Sequence, residues 1–456
     1  MKDLTQGPVI RHLLHMAAFL AVSMLVQTLY MLADLYWVGR LGKEAIAAVG
    51  VAGNLMMLVL ALTQMLGVGT TATIAQAAGR KDQPHAERAF NQSLVMSVCI
   101  AVLFGVVGMA LRDFYCASLT ADRVTAALAK SYLNWFIPAL LLQSPLTTLG
   151  SALRATGIVK PAVGLQVLSV VLNIILAPLF IFGIGPWPRM GVAGAGLATF
   201  ISILVADILT LLYFETKYRY LRLRLEQWRP QMAVWWAMLK IGLPAGAEFV
   251  LFSVYMFVVY AIIRQFGAAA QAGFGIGARV MQAMFLPVVA LSFAISPVVG
   301  QNFGGRRAER VRQSVLAAMG IASGMMAVLT VLGWAFAPVF IRGFTRDPQV
   351  ISFGAEYLSI VSFNFLASGI VFSSSSVFQG LGNTLPPLLS TSSRLLLFAV
   401  PALLVSQRAG FQIRQVWYLS VMSQVLQACL NLSLLRRELG RKLKFEEVPI
   451  AGPVAA

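Results

Sequence analysis

Three carboxyl groups of this 456-residue chain lie inside long apolar stretches, where an ionised side chain is costly. They are Asp34, Asp207 and Glu248, out of 17 acidic residues in all. At the centre of a membrane each would cost roughly 2.5–3.5 kcal/mol on insertion scales, so we expect each to have a compensating role. A carboxyl group that faces a water-filled cavity can bind a proton or Na⁺ and can attract an organic cation. Competition of ion and cation for one carboxylate would couple their movements in opposite directions.

The composition indicates a membrane protein, because apolar residues make up 59% of the chain and charged residues only 11%. No water-soluble globular domain is that apolar. The apolar stretches exceed the roughly 10 residues of a membrane strand and match the roughly 20 residues of a membrane helix, so we predict an all-α fold. The twelve predicted transmembrane helices are residues 13–38, 45–69, 90–111, 126–149, 161–184, 192–214, 235–263, 270–302, 314–341, 352–378, 386–406 and 415–435.

The loops on the two sides of the membrane differ in their content of Lys and Arg. The side that holds both termini carries 21 of these residues and the opposite side carries 10. Because basic loops stay in the cytoplasm, we predict that both termini are cytoplasmic. The same rule explains the net charge of +18 without a nucleic-acid partner. The N-terminus lacks the pattern of a cleaved signal peptide, so we expect Met1 to begin the mature chain.

The two halves of the chain match each other at an offset of 225 residues, in polar residues and glycines as well as in apolar residues. The matched pairs are Gly42 with Gly267, Ala45 with Ala270, Ala47 with Ala272, Gly50 with Gly275, Gln76 with Gln301, Gly79 with Gly304, Thr120 with Thr345, Asp122 with Asp347, Tyr132 with Tyr357, Leu133 with Leu358, Ser151 with Ser376, Gly157 with Gly382 and Pro161 with Pro386. Six spans per half give both halves the same orientation, as in transporters that rock two bundles around a midplane site. We therefore predict an N-lobe (1–214), a cytoplasmic linker (215–234), a C-lobe (235–435) and a cytoplasmic tail (436–456).

Short motifs near the ends of the spans resemble those of the multidrug and toxic compound extrusion (MATE) transporters over nearly the full length. They are LTQGP at 4–8, Asp34 followed by WVGRLG at 37–42, QAAGR at 76–80, SALRATG at 151–157, GLP at 242–244 followed by Glu248, and GQNFG at 300–304. The resemblance implies a V-shaped fold of two pseudo-symmetric six-helix lobes with a central cavity. It also implies a bacterial inner-membrane antiporter that exports cationic or amphipathic organic compounds in exchange for H⁺ or Na⁺.

The resemblance further implies where the coupling ion binds. The family has an essential Asp at the place of Asp34, and the DinF-like branch, to which this chain is closer, adds an Asn and an Asp on the fifth helix. Here Asn173 matches the Asn, whereas Ala177 stands where the second Asp would be. Thr199 on the sixth span is a further candidate for this N-lobe site.

Two of the three intramembrane acids have structural alternatives near the N-lobe site. Asp207 on the sixth span is a candidate for the missing second carboxylate, or a buried acid that is hydrogen-bonded to a neighbour such as Ser202. Asp34 is either a coupling residue or an interfacial acid that reaches headgroup water near Arg40. The sequence leaves both alternatives open.

Glu248 follows Pro244 by four residues, a spacing that also occurs in bacterial members of the family, and is a second candidate coupling residue. Its alternative role is a salt bridge to Lys240 or Arg279 that fixes helix packing. Arg279 and Arg394 are cations inside spans, and we expect them to pair with Glu248 or with backbone carbonyl groups.

The resemblance places six side chains around the substrate cavity, where aromatic and Met groups accept varied flat cations. They are Gln27, Tyr30, Tyr255, Met256, Met281 and Phe285. Side chains of these types at helical spacing also occur in hydrophobic cores and on lipid-facing surfaces.

Catalytic and cofactor motifs are lacking in this sequence: no phosphate-binding GxxxxGK[ST] occurs, and Cys99, Cys116 and Cys429 form no metal or disulfide pattern. We expect a monomeric transporter, and neither an enzyme nor a metal or cofactor protein. The main alternative is a lipid-linked precursor flippase of the same superfamily, which would need several cavity cations for pyrophosphate. Only Arg279 and Arg394 are candidates for that role.

Overall fold

A computed structural model describes residues 1–120, 122–408 and 410–445. Most of the predicted tail, from residue 446 on, lies outside these residues. Within the described ranges all regular secondary structure is helical. The first half consists of α1 (Val9–Gly39), α2 (Lys43–Gly79), α3 (Gln83–Leu119), α4 (Arg123–Ala155), α5 (Lys160–Phe182) and α6 (Val192–Thr216).

A linker with one 3₁₀ turn, Leu225–Trp228, connects the two halves. The second half consists of α7 (Met232–Ile263), a 3₁₀ turn (Arg264–Phe266), α8 (Ala268–Gly304), α9 (Ala308–Ala335), α10 (Ala337–Arg342), α11 (Pro348–Val361), α12 (Asn364–Gly380), α13 (Leu385–Ser406) and α14 (Ile413–Lys442).

The predicted all-α, twelve-span architecture is confirmed. In the described part of the chain eleven helices are long and apolar enough to cross a bilayer, and the α11–α12 pair, bent by 54°, supplies a twelfth span. The predicted ninth span, 314–341, is wrong as a single helix, because α9 ends at Ala335 and the short α10 follows. Pro338 lies in the first turn of α10 and has no N–H to continue the helix that precedes it.

The repeated polar residues and glycines mark the ends of helices. Asp122 caps α4 by accepting a hydrogen bond from the backbone N–H of Thr125 at 2.8 Å, and Asp347 caps α11 in the same way. Hydrogen bonds from the backbone and the hydroxyl of Thr125 hold the pKa of Asp122 below its ordinary value. Gly42 and Gly267 precede α2 and α8 with φ angles of 115° and 86°, which disfavour any side chain. The residues that match in the repeat therefore mark the positions at which equivalent helices of the two halves begin.

Both ends of the described chain lie on one face of the molecule, which we call the terminal face. Leu4 and Leu443 belong to the same buried hydrophobic cluster there. Near this face the first helix of each half packs into the core of the other half. Leu13 of α1 is buried among residues of α8, α9 and α12, whereas Met238 of α7 is buried among residues of α2, α3 and α4. Residues 13 and 238 differ by 225, so the two lobes exchange equivalent helix ends.

The two lobes interlock where α2 crosses α8 close to the terminal face. A Cβ on Gly79 would collide with the backbone carbonyl of Gln301, and a Cβ on Gly304 would collide with the backbone carbonyl of Gln76. These four residues are two matched pairs of the 225-residue repeat. The crossing therefore lies on the pseudo-twofold axis and depends on two glycines that let the backbones touch.

Reciprocal hydrogen bonds between the lobes surround this crossing. Gln76 donates from Nε2 to the carbonyl of Gly380 in the C-lobe at 2.9 Å. Gln301 donates from Nε2 to the carbonyl of Ala155 in the N-lobe at 2.8 Å. Residues 155 and 380 also differ by 225, so one contact is the symmetry mate of the other. Buried amides left unpaired cost about 1–3 kcal/mol each, so separating the lobes here requires water or new partners for both.

The N-terminal segment and the linker strengthen the closure of the terminal face. Lys2 donates its N–H to the carbonyl of Thr156 in the N-lobe at 2.9 Å, whereas Arg307 of the C-lobe donates to the carbonyl of Thr5 at 2.7 Å. The segment thus bridges both lobes. The linker is held to α3, where Asn91 accepts a hydrogen bond from the N–H of Arg224 at 2.9 Å.

The glycine crossing gives a test of lobe closure. We expect Gly304→Ala to open the terminal face, because a new methyl group against a backbone carbonyl costs on the order of 1–3 kcal/mol. The distance between spin labels on His85→Cys and Glu309→Cys, measured in a cysteine-free background, should lengthen by several ångströms.

The matched control is Gly324→Ala on α9, where an added Cβ meets no atom within 4 Å. Both glycines belong to Gly-x-x-x-Gly pairs, at 300–304 and 320–324, so the control has the same local spacing. An unchanged distance in Gly304→Ala, or an equal change in both variants, would contradict the interlock.

Candidate functional site

A polar cluster joins three helices, α1, α5 and α6, inside the N-lobe. The hydroxyl of Tyr30 on α1 lies 3.2 Å from Oγ1 of Thr199 on α6. Asn173 on α5 donates from Nδ2 to the same Oγ1 at 3.2 Å. The hydroxyl of Thr199 also donates to the carbonyl of Ala195 at 3.1 Å. The structure therefore brings together Tyr30, Asn173 and Thr199, all three of which the sequence analysis singled out.

Asp34 lies one helical turn beyond Tyr30 on α1 and faces this cluster. It interacts electrostatically with the hydroxyls of Tyr30 and of Tyr132 on α4. The side chain is partly exposed, yet its Oδ1 is buried and has no hydrogen-bond partner among the described residues. Arg40 instead packs over the rings of Tyr36 and Trp37, at 5.0 and 5.6 Å from the ring centroids. The arrangement favours a carboxyl group directed into the lobe over one paired with Arg40 at the interface.

Asp207 is separated from the N-lobe cluster. It follows Thr199 by eight residues on α6, which places it about 12 Å further along the helix. The expected hydrogen bond to Ser202 is wrong, because the Ser202 hydroxyl donates to the carbonyl of Ala198 at 2.7 Å. Asp207 is 5% exposed and both of its carboxyl oxygens lack a partner. The structure does not bring it to Asp34 as a second carboxylate.

Glu248 lies on α7, the helix of the C-lobe that packs against α2 of the N-lobe. Gly242 and Gly246 of the same helix face the backbone of α2, where a side chain would collide with Met65 or crowd Ala61. The Oε1 of Glu248 is buried and has no hydrogen-bond partner. None of the seven ion pairs in the described part of the chain includes Glu248.

The predicted charge partners of Glu248 are therefore wrong. Lys240 and Arg279 are exposed and form no ion pair among the described residues. Arg394 also does not pair with Glu248; its guanidinium carbon lies over the ring of Tyr255, 4.6 Å from the centroid. Arg394 forms a cation–π contact with Tyr255 because Tyr255 on α7 packs against α13, the helix that carries Arg394.

The six residues predicted to line the cavity occupy three kinds of environment. The two tyrosines belong to polar clusters, one in each lobe. Gln27 is exposed on α1. Met256, Met281 and Phe285 are partly buried against the hydrophobic clusters of the C-lobe, and Phe285 packs edge-on against Phe365 at 5.0 Å. Substrate contact stays a prediction for all six.

The lobes converge on a narrow floor between α2, α4, α8 and α12. A cavity of about 20 Å³ remains there, lined by Gln64, Gly67, Val68, Thr71, Arg154, Phe293, Ser296 and Gln379. Arg154 donates to Oγ of Ser151 at 2.6 Å and packs over Phe293 at 5.9 Å. This space holds about one water molecule, so the lobes are closely packed at the floor.

Sequence reasoning assigned no site role to Tyr132 or Arg154. The signal for Tyr132 was already in the repeat, which pairs it with Tyr357 at the same depth of the other lobe. Arg154 lies in the SALRATG motif and was counted as a loop cation, whereas it belongs to the last turn of α4. No group of three or more His, Cys, Asp or Glu able to hold a metal occurs in residues 1–120, 122–408 and 410–445.

The chain matches the MatE family model over residues 20–179 and 244–404, which covers most of both halves. The FAD transporter of Shewanella oneidensis is 26% identical over 88% of this chain and 89% of its own length. The probable multidrug resistance protein YpnP of Bacillus subtilis is 28% identical over 83% of this chain and 86% of its own length. A solved outward-facing structure of a multidrug resistance MATE family transporter superimposes with a TM-score of 0.89 and 26% identity, over 97% of this chain and 98% of that one.

The matched segments contain α1 from residue 20 through most of α5 and α7 from residue 244 through most of α13. They include Asp34, Asn173 and Glu248. Family model, relatives and fold agree with the resemblance found in the motifs. The chain belongs to the MatE family, whose members are membrane transporters and not enzymes.

Proposed function

We propose that this protein is a secondary-active exporter of small organic compounds that is driven by the entry of H⁺ or Na⁺. The observation that carries this proposal is the partly exposed Asp34, whose buried Oδ1 lacks a partner beside Tyr30, Asn173 and Thr199. A carboxylate in such a place is stabilised by a bound proton or cation and destabilised without one. Ion occupancy at Asp34 therefore has a free-energy consequence for the N-lobe.

The substrate class follows from the relatives. YpnP, at 28% identity, is a probable multidrug resistance protein, which supports export of chemically varied organic compounds. The FAD transporter, at 26% identity, supports a flavin nucleotide as a second candidate substrate. Export of either class of substrate requires a cleft that opens alternately to the two sides of the membrane. The interlocked terminal face closes the molecule on one of these sides.

We assign the terminal face to the cytoplasm, on the basis of the excess of Lys and Arg in its loops. With the terminal face closed on the cytoplasmic side, this conformation corresponds to an outward-facing state, and the likeness to an outward-facing solved relative supports that assignment. Release of the reciprocal glutamine contacts and opening of the floor would give the inward-facing state.

The orientation has a direct test in a cysteine-free background. Cysteine at position 408, in the loop before α14, should react with a membrane-impermeant maleimide in intact cells. Cysteine at position 437, near the end of α14, should react only after the cells are lysed. Both residues are exposed, so equal intrinsic reactivity is expected. The reverse pattern of labelling would invert the assignment.

The role of Asp34 is tested with ethidium efflux from proteoliposomes, under an imposed pH gradient and, separately, a Na⁺ gradient. We expect one gradient to drive efflux by the wild-type protein. Asp34→Asn should reduce this efflux about tenfold or more, because the amide binds neither a proton nor Na⁺ with comparable strength.

The matched control is Asp113→Asn, which removes an exposed carboxylate that pairs with Arg112 and Lys130 at the end of the molecule away from the terminal face. It should keep efflux within about twofold of wild type. Gradient-driven efflux that survives in Asp34→Asn would remove Asp34 from the coupling path. Ethidium efflux that neither gradient changes would remove the exchange mechanism, and absence of any efflux by folded protein would favour the flippase alternative.

The hydroxyl of Thr199 is expected to support ion binding. Thr199→Val removes its contacts with Tyr30 and Asn173 and should raise the half-saturating concentration of the coupling ion by about three- to tenfold. Thr210→Val on the same helix is the control, because Thr210 is also buried but bonds only to the carbonyl of Ala206. An equal response of both variants would show that Thr199 has only a packing role.

A further inference from the structure

The internal repeat places a pair of tyrosines at equivalent positions of the two lobes. Tyr30 corresponds to Tyr255, and Tyr132 corresponds to Tyr357, each pair being separated by 225 residues. In the N-lobe the first tyrosine meets a hydroxyl of α6, at 3.2 Å. In the C-lobe the hydroxyl of Tyr255 meets Oγ of Ser420 on α14 at 2.9 Å. Each lobe therefore has a tyrosine–hydroxyl contact between its first and its last helix, and we call these two places the N-lobe pocket and the C-lobe pocket.

The charged residue beside the tyrosines has the opposite sign in the two lobes. Asp34 interacts with Tyr30 and Tyr132, whereas Arg394 interacts with Tyr255 and Tyr357. The guanidinium of Arg394 lies 4.6 Å from the centroid of the Tyr255 ring. The position equivalent to Asp34 in the C-lobe is residue 259, a buried Val, so the C-lobe pocket has no acid at that position.

Arg394 lacks a counter-ion in the described part of the chain. Its Nε is buried without a partner, while the side chain as a whole is partly exposed. Glu356, which precedes Tyr357, pairs with Arg414 at 3.0 Å. Glu248 lies seven residues, or about 10 Å, before Tyr255 along α7 and forms no ion pair. A guanidinium in this position is costly unless an anion reaches it.

Other groups around the pocket suit an aromatic anion. Asn364 donates to Ser420 at 3.2 Å and so fixes the hydroxyl that Tyr255 contacts. Trp417, which packs edge-on against Tyr357 at 4.8 Å, has a buried Nε1–H without an acceptor. The ring of Tyr255 also contacts that of Phe398 at 4.7 Å. The pocket thus combines unpaired donors with aromatic faces.

We propose that the C-lobe pocket around Arg394 binds the carboxylate or phosphate group of a flat aromatic substrate. This inference rests on the proposed export function and gives its substrate a negatively charged group. A guanidinium recognises carboxylates and phosphates through two parallel hydrogen bonds, and the partly exposed ring of Tyr255 packs against the body of the ligand. The N-lobe pocket binds the coupling ion while the C-lobe pocket holds the substrate anion.

The test compares equilibrium binding of two flat dyes to purified protein by fluorescence anisotropy. Carboxyfluorescein is the anionic probe and ethidium the cationic probe. We expect Arg394→Met to weaken carboxyfluorescein binding about tenfold or more and Arg394→Lys to weaken it less, since Lys keeps the charge but loses the planar fork. Ethidium binding should stay within about twofold of wild type or become tighter, because a repelling cation has been removed.

The matched control is Arg40→Met, which removes another arginine that packs over aromatic rings, those of Tyr36 and Trp37. It should leave carboxyfluorescein binding within about twofold of wild type. Failure of the wild-type protein to bind carboxyfluorescein, or an equal loss of both dyes in Arg394→Met, would overturn the proposal.

A second measurement needs no variant and therefore does not depend on folding of the Arg394 substitutions. Benzoate and phenyl phosphate should displace carboxyfluorescein from the wild-type protein, whereas uncharged benzamide, of nearly the same shape as benzoate, should not. The stronger of the two anions identifies the group preferred by the pocket. Displacement by benzamide as strong as that by benzoate would show that the pocket selects shape and not charge.

The ethidium efflux assay separates this inference from the proposed function. If the wild-type protein shows no gradient-driven ethidium efflux but binds carboxyfluorescein in an Arg394-dependent way, the exchange mechanism is rejected. The anion pocket is then supported. Gradient-driven ethidium efflux without carboxyfluorescein binding supports the exporter and overturns the anion pocket.

Discussion

The relative position of the two lobes depends on the contact of α2 with α8 at the terminal face. Gly79 and Gly304 let the two backbones touch, and Gln76 and Gln301 each bond to a carbonyl of the opposite lobe. These contacts are backbone-to-backbone or involve the amides of the buried Gln301 and the partly buried Gln76, so small displacements are costly. Closure of this face is therefore expected to be nearly all-or-none, as in other packed interfaces that switch between two arrangements.

The N-lobe pocket is connected to the contact between the lobes through α1. Asp34 lies in the half of α1 beyond the part that packs into the C-lobe core, next to Tyr30 and Tyr132. The proposed binding of an ion at Asp34 would change the electrostatic free energy of the same helix whose other end, at Leu13, is buried in the opposite lobe. One continuous helix thus links ion occupancy to lobe contact, and α7 has the equivalent position in the C-lobe.

The two lobes share the residues that begin and position equivalent helices, but they differ in the charged residues beside them. The caps Asp122 and Asp347 and the tyrosines at 132 and 357 are retained in both halves, because each half must form the same helix bundle. Asp34 and Arg394 have no counterpart of the same type at the matching positions. Pseudo-symmetry therefore places similar tyrosines in both lobes, and the charged residues beside them differ in sign.

The sequence by itself determined the membrane class, the number of spans and the duplication, because these follow from apolar length and fixed spacing. The motif resemblance added Asp34, Asn173 and Thr199 as candidates for one site, of which the structure joins Asn173 and Thr199 by a hydrogen bond. Tertiary structure decided which charges meet. Asp207 stays about 12 Å from Thr199, and Arg394 lies over Tyr255 instead of pairing with Glu248. Side-chain partners between helices depend on helix rotation and crossing, which sequence periodicity leaves open when most faces of a helix are apolar.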